Sequence, residues 1–191
     1  MSEQDLSRSG RDGSLSFVQH NFDNHQALIR AADTKAGFLV TILLFLGAST
    51  IPLGKEVVPK LHLTYGVAGL LSCLYIVSYF ALTLGFLWAL NELYFVVAPR
   101  GASHYAAPRP GHDLVFYEHV LLHRDHNHYF ASISEASPDL LLRNLTDQVF
   151  ELAHICREKM TGLKKTKSPI RLAICAWLIN IGMGLWIGRP Q

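Results

Sequence analysis

At 191 residues, half of them hydrophobic and only 17% charged, the chain is poorer in charge than a soluble domain, where about a quarter of residues are charged. A net charge of +2 does not point to a nucleic-acid binder, where a strongly basic face is expected. Three cysteines without paired or metal-type spacing exclude a secreted disulfide framework.

Residues 1–13 (MSEQDLSRSGRDG) have the composition of a disordered tail, and they offer neither the apolar run nor the cleavage site of a signal peptide. The first apolar window is therefore expected to act as both insertion signal and anchor. Ser14 can cap a helix. Beyond it Leu15, Val18, Phe22, His25, Ile29, Ala32 and Ala36 alternate steps of three and four, one stripe of an amphipathic helix. The pattern predicts a cytosolic helix over 14–35 running unbroken into a membrane span over 36–54, since no proline or glycine interrupts before Gly37. Asp33 and Lys35 fall where that helix meets the bilayer. Either Lys35 snorkels to the headgroups while Asp33 stays solvated, or the two contact a second cytosolic helix and couple it to the membrane part.

The window 36–54 is uncharged; as a helix rising about 1.5 Å per residue it reaches about 28 Å, close to the hydrocarbon thickness of a bilayer. KEVVPK forms a short turn, and 61–90, again without formal charge, is expected as one tilted span. Small residues at four-residue spacing (Ala68 and Ser72; Ala81, Gly85 and Ala89) permit close helix approach. Thr64, Ser72, Ser78 and Thr83 either line a polar path or serve packing. Cys73 and Cys175 lie inside apolar windows, where a thiol behaves as a small hydrophobe.

Residues 98–113 hold three prolines and two glycines and form a linker. A helical cytosolic region is expected over 114–168. Within HVLLHRDHNHYF, His119, His123 and His126 follow helical steps of four and three beside Asp125 and His128. One face could offer imidazoles to a metal or titrate near neutrality, but no HExxH-type motif accompanies them and no metal site is assigned. Ser137-Pro138-Asp139 starts another helix, with Leu141, Leu145, Leu152, Cys156, Met160 and Leu163 as its apolar stripe. The basic run from Arg157 to Lys167 suits lipid headgroups first and an anionic ligand second. Gly162 and Pro169 are expected to bracket a turn into a third span over 170–188. Trp177 and Trp186 suit that span to a membrane, and Asn180 would seek an interhelical partner. A buried soluble helix is the alternative for this segment.

Arg30, Lys35, Arg100, Lys164, Lys165, Lys167 and Arg171 fall on one side of these spans, and only Lys55, Lys60 and Arg189 on the other. The positive-inside rule then places the N-terminus and the 98–168 loop in the cytoplasm and the C-terminus outside. The sequence thus reads as all-α: an integral membrane protein with three transmembrane helices, a small helical cytosolic domain and no catalytic constellation or cofactor motif, hence not an enzyme.

Three stretches carry a family resemblance: ADTKAGFLVTILL at 32–44, VFYEHV at 115–120, and LLLRNLTDQVFELAHICREKMTGL at 140–163, with its Asp-Gln pair and late Lys159. Over about residues 20–188 the chain resembles the transmembrane effectors (PycTM) of Pycsar, a bacterial antiphage system. The resemblance implies an inner-membrane, multi-pass protein that responds to a cyclic pyrimidine nucleotide, cyclic CMP or cyclic UMP, made by a partner cyclase during infection. The response impairs the membrane and kills the host before phage release, an abortive infection, and the protein is expected to form homo-oligomers. No β-roll or phosphate-binding cassette is present, so a nucleotide site here would be helical and could be shared between subunits. A single negative phosphate favours arginine through paired hydrogen bonds. Arg143, Arg124 and Arg30 are the candidates, although Asp147, one turn from Arg143, could pair with it on a solvated face. Two other readings stand beside the effector: a structural or assembly subunit whose cytosolic helical pair binds a protein, and a small metal-binding membrane protein using the histidines.

Overall fold

The computed structural model describes residues 3–61, 66–99, 114–115 and 117–187, with backbone alone for 3–11 and 117–118. In order, α1 spans Glu3–Val57, a 3-10 turn spans Val58–Lys60, and α2 spans Val67–Val97. The short α3 (Tyr117–Val120), α4 (His126–Glu135), α5 (Pro138–Lys165) and α6 (Lys167–Ile187) follow. No strand occurs among the described residues, and the all-α expectation holds. Two compact units emerge. Unit 1 draws on Met1–Ala31 and Pro99–Glu158, and unit 2 on Ala32–Ala98 and Lys159–Gln191.

Unit 2 is patterned inside out relative to a soluble bundle. α2 turns Gly69, Ser72, Ser78, Gly85 and Ala89 inward among the larger Tyr75, Leu82 and Leu93, while Leu70, Val77, Phe80, Leu84 and Leu87 are each about 60% exposed or more. Many large apolar side chains facing out, with small residues letting backbones approach inside, suit lipid as a solvent. At Gly85 the neighbour is backbone: an added Cβ would lie 3.0 Å from the nitrogen of Ala173 and 3.3 Å from the carbonyl oxygen of Pro169. Asn180, fully buried, donates from Nδ2 to Ser78 Oγ at 3.2 Å, the interhelical partner its position called for. Trp177 Nε1 donates to Ser49 Oγ of α1 at 2.8 Å. The hydroxyls of Ser72 and Thr83 donate back to Ala68 and Tyr79 of their own helix at 3.0 and 2.9 Å, and Thr83 faces outward. That arrangement favours packing over a polar path; Thr64 lies outside the described residues.

Four local expectations are corrected. Residues 3–13, with the composition of a disordered tail, are helical: α1 begins at Glu3. A helix nucleated downstream extends at the gain of one hydrogen bond per residue, even through Gly10 and Gly13. α2 covers Val67–Val97 rather than 61–90, because its end is set by Pro99 and not by the first charge, Glu92. The turn expected between Gly162 and Pro169 shrinks to one residue, Thr166, between α5 and α6. Thr166 N–H donates to Gly162 O at 3.2 Å and Ile170 N–H to Thr166 O at 3.1 Å, so helical bonding passes through that residue, and Pro169 sits in the first turn of α6 where its missing N–H costs little. Finally, His119, His123 and His126 do not share one helix face, since residues 121–125 turn between α3 and α4. No group of three metal-ligating side chains occurs among the described residues. His123 instead meets His128, Nδ1 to Nδ1 at 3.1 Å. Most of the expected linker, 100–113, lies outside the described residues.

In unit 1, Asp125 caps α4 by accepting from His128 N–H at 2.8 Å, and Ser137 Oγ accepts from Leu140 N–H at 3.2 Å at the start of α5. Leu114, the first residue after the linker and 2% exposed, is strapped at both backbone groups. Its N–H donates to Asn144 Oδ1 at 2.7 Å, and its carbonyl accepts from Tyr129 Oη at 2.7 Å.

Candidate functional site

The stripe of α5 that is buried is not the apolar one. Asn144, Gln148, Glu151, Ile155, Lys159, Gly162 and Thr166 follow steps of four and three along one line. Of these, Asn144, Glu151, Lys159 and Thr166 are each 5% exposed or less. The expected stripe through Leu145, Leu152, Met160 and Leu163 flanks this line and is half-buried, with Cys156 buried and Leu141 38% exposed. Burial pushes the Cys156 thiol up from its ordinary range.

Within unit 2 this polar line ends in a buried ionic junction. Lys159 Nζ donates to Asp33 Oδ1 of α1 and to the backbone oxygen of Val96 in α2, each at 2.6 Å. The lysine side chain is 6% exposed and the aspartate 40%. Each partner is placed by its helix. Asp33 lies between the fully buried Ala32 and Ala36 on α1, whose small side chains leave room beside it. Val96 is the second-last residue of α2, so its carbonyl belongs to the last turn, where no helical N–H follows to pair with it. The ammonium caps that helix end and neutralises Asp33 together. Gly162, one turn after Lys159, makes the approach possible: a Cβ there would lie 2.7 Å from Val96 Cγ2.

The junction stands in unit 2, only a few residues along the chain from each of the three points where it crosses between the units, after Ala31, after Ala98 and after Glu158. Lys35, two residues from Asp33, is exposed and outside this bonding. The arginines proposed for phosphate recognition are exposed on three separate elements: Arg143 on α5, Arg124 in the turn before α4, 4.0 Å from Asp125, and Arg30 on α1. Lys159 was visible in sequence only as part of a motif. What would have found it is the three-and-four spacing of polar residues from Asn144 to Thr166, a line that a search for apolar periodicity passes over.

Three helices long and apolar enough to cross a membrane, with many large apolar side chains turned outward and a mainly helical remainder, define a multi-span helical membrane protein. The family model for the Pycsar effector protein domain (PycTM) matches residues 17–188, and the chain belongs to that family. No curated protein and no solved structure matches it.

Proposed function

We propose that this protein is an antiphage effector that responds to a cyclic pyrimidine nucleotide, cyclic CMP or cyclic UMP, made by a partner cyclase, and then impairs the inner membrane. It acts as a ligand-responsive membrane protein rather than an enzyme, needs no metal or cofactor, and brings about abortive infection. Family membership supports the role. The observation that carries the mechanism is the Lys159–Asp33–Val96 junction, which ties α5, α1 and the end of α2 together close to every crossing of the chain between its units. A nucleotide that reorders unit 1 acts on these three crossings, and the junction couples them to the spans.

For the nucleotide itself, unit 1 offers a cleft of about 560 Å³ between α1 and α5, lined by Gly13, Ser14, Phe17, Val18, Leu142 and Thr146. Phe17, 67% exposed, gives a pyrimidine a ring to stack on, and Arg143 follows Leu142 directly as the cation for the phosphate, with Arg124 and Arg30 as further candidates. Phe130, Phe150, Leu121 and Leu122 also stand 59% exposed or more in unit 1. They support self-association into homo-oligomers through this unit. They equally favour the second reading, a structural or assembly subunit with a protein-binding helical pair.

Dye-loaded liposomes carrying the purified protein separate these. Release on adding cyclic CMP or cyclic UMP, but not cyclic AMP or cyclic GMP, is expected of the effector; no release with any nucleotide sinks that reading and leaves the subunit. The orientation proposed from the charge asymmetry puts the N-terminus in the cytoplasm and the C-terminus in the periplasm. A membrane-impermeant thiol reagent should then label a cysteine placed within residues 55–60 of intact spheroplasts but not one placed at Ser103, and the reverse pattern overturns it.

A further inference from the structure

Beside the junction, α1, α5 and α6 of unit 2 enclose a groove of about 1100 Å³ that the Lys159–Asp33 pair does not use. Its floor is apolar, built from Phe38, Leu39, Met160, Leu163 and Ile170. Phe38 is 66% exposed, so the protein leaves this surface largely uncovered. Its rim is cationic: Lys35 comes from α1, Lys164 from the end of α5, and Lys167 and Arg171 from α6, while no Asp or Glu lines the groove. Asp33, the neighbouring acid, is engaged by Lys159.

These two properties set the chemistry of the occupant. Four like charges around one groove call for an anion, and the bare floor calls for a long apolar group. The groove is larger than most metabolite pockets, which hold roughly 300–1,000 Å³. A free phosphate or a cyclic nucleotide would satisfy the rim and leave the floor bare. A neutral lipid would cover the floor and leave the cations unmatched. The groove also lies at the depth where a headgroup sits, because Lys35 and Arg171 are the last charges before the apolar windows that begin at Ala36 and Leu172.

We infer that this groove is a binding site for an anionic phospholipid of the surrounding bilayer, its phosphate among Lys35, Lys164, Lys167 and Arg171 and an acyl chain over Phe38, Leu39 and Ile170. The inference stands independently of the nucleotide reading. It makes bilayer composition a second input to the junction, since Thr34 and Met160, both in the groove wall, adjoin Asp33 and Lys159 in sequence.

The test uses the full chain in a non-ionic detergent, with dioleoyl phosphatidylglycerol and dioleoyl phosphatidylcholine titrated in and thermal stability as the readout. Phosphatidylglycerol should raise the unfolding midpoint saturably, and phosphatidylcholine should not. Each basic side chain near an anionic lipid contributes enough that Lys167→Gln with Arg171→Gln should weaken apparent affinity about thirtyfold, and Lys35→Gln alone about fivefold. Lys35→Gln also keeps the question open to test if the double variant fails to fold. Lys55→Gln with Lys60→Gln, outside the groove, should leave the affinity unchanged. Excess glycerol 3-phosphate or cyclic CMP should not displace the lipid. Equal stabilisation by phosphatidylcholine, an equal loss in the Lys55/Lys60 control, unchanged affinity in both groove variants, or displacement by glycerol 3-phosphate would each overturn the assignment.

Discussion

Replacing Asp33 by Asn keeps the shape of the side chain and an oxygen that can accept a hydrogen bond, but removes the charge that opposes a buried ammonium. The lysine is 6% exposed and donates to two partners, Asp33 Oδ1 and Val96 O. Breaking a fully buried pair by deleting one ion costs about 3–5 kcal/mol. Asp33 is 40% exposed, so solvent already screens its side of the pair, and the cost falls to about 2 kcal/mol. Lys159→Met removes the ion instead. It leaves Asp33 to water and strands the Val96 carbonyl, for about 1 kcal/mol once methionine packing is set against the lost hydrogen bond. The smaller deletion is thus expected to be the more damaging one. In the double variant there is no buried charge left to strand, so it should be no less stable than Lys159→Met alone, a coupling of about 2 kcal/mol. Reversible unfolding in mixed detergent micelles measures all four states. In nucleotide-triggered dye release, Asp33→Asn should shift the half-maximal concentration by about tenfold or more if the junction couples ligand to membrane. Additive losses in the cycle, or a double variant worse than either single one, would show that the ion pair is incidental to the packing around it.

Gly85→Leu should destabilise by about 1–3 kcal/mol, because its side chain would meet Ala173 and Pro169 backbone that cannot swing aside; Gly37→Ala, with nothing within 4 Å of the new Cβ, should stabilise α1 by about 0.5–1 kcal/mol. The same micelle titration reads both. Asn180→Leu should leave insertion intact, cost about 0.6 kcal/mol through the lost bond to Ser78, and reduce dye release at equal protein level; unchanged release would make Asn180 a packing residue only. Arg143→Ala should weaken cyclic CMP or cyclic UMP binding about tenfold or more if it holds the phosphate, and wild-type affinity in a folded variant would move attention to Arg124 and Arg30.

What the sequence disclosed followed the strength of each physical signal. Uninterrupted apolar windows and the absence of strand patterning made the helical membrane class legible, and small residues at Gly85 and Ala89 foretold where helices touch. The α1 stripe was equally clear: Val18, Phe22, His25 and Ile29 are half-buried and Ala32 and Ala36 fully so. α5 was misjudged by about one residue of phase, because its most buried line is polar and apolar periodicity finds only the flank. Asn144 and Tyr129, which strap Leu114, act across 30 and 15 residues, distances over which local pattern carries no information. Of the junction, Asp33 was singled out by its place at the head of an apolar window, while Lys159 and the Val96 carbonyl needed coordinates. A lysine inside a basic run reads as surface, and a backbone acceptor has no letter of its own.

The amide of Asn180 has a consequence for how the molecule is made. During synthesis α6 follows α2, and it offers the translocation machinery a short window with an uncompensated amide near its centre, a poor substrate for insertion on its own. Once α2 is already in the bilayer, Ser78 supplies a partner for that amide, and the Gly85 surface accepts the backbone of α6 at Ala173. The earlier helix thereby acts as an intramolecular chaperone for the later one, and chains damaged in α2 should lose their third span to the wrong side of the membrane and enter quality control.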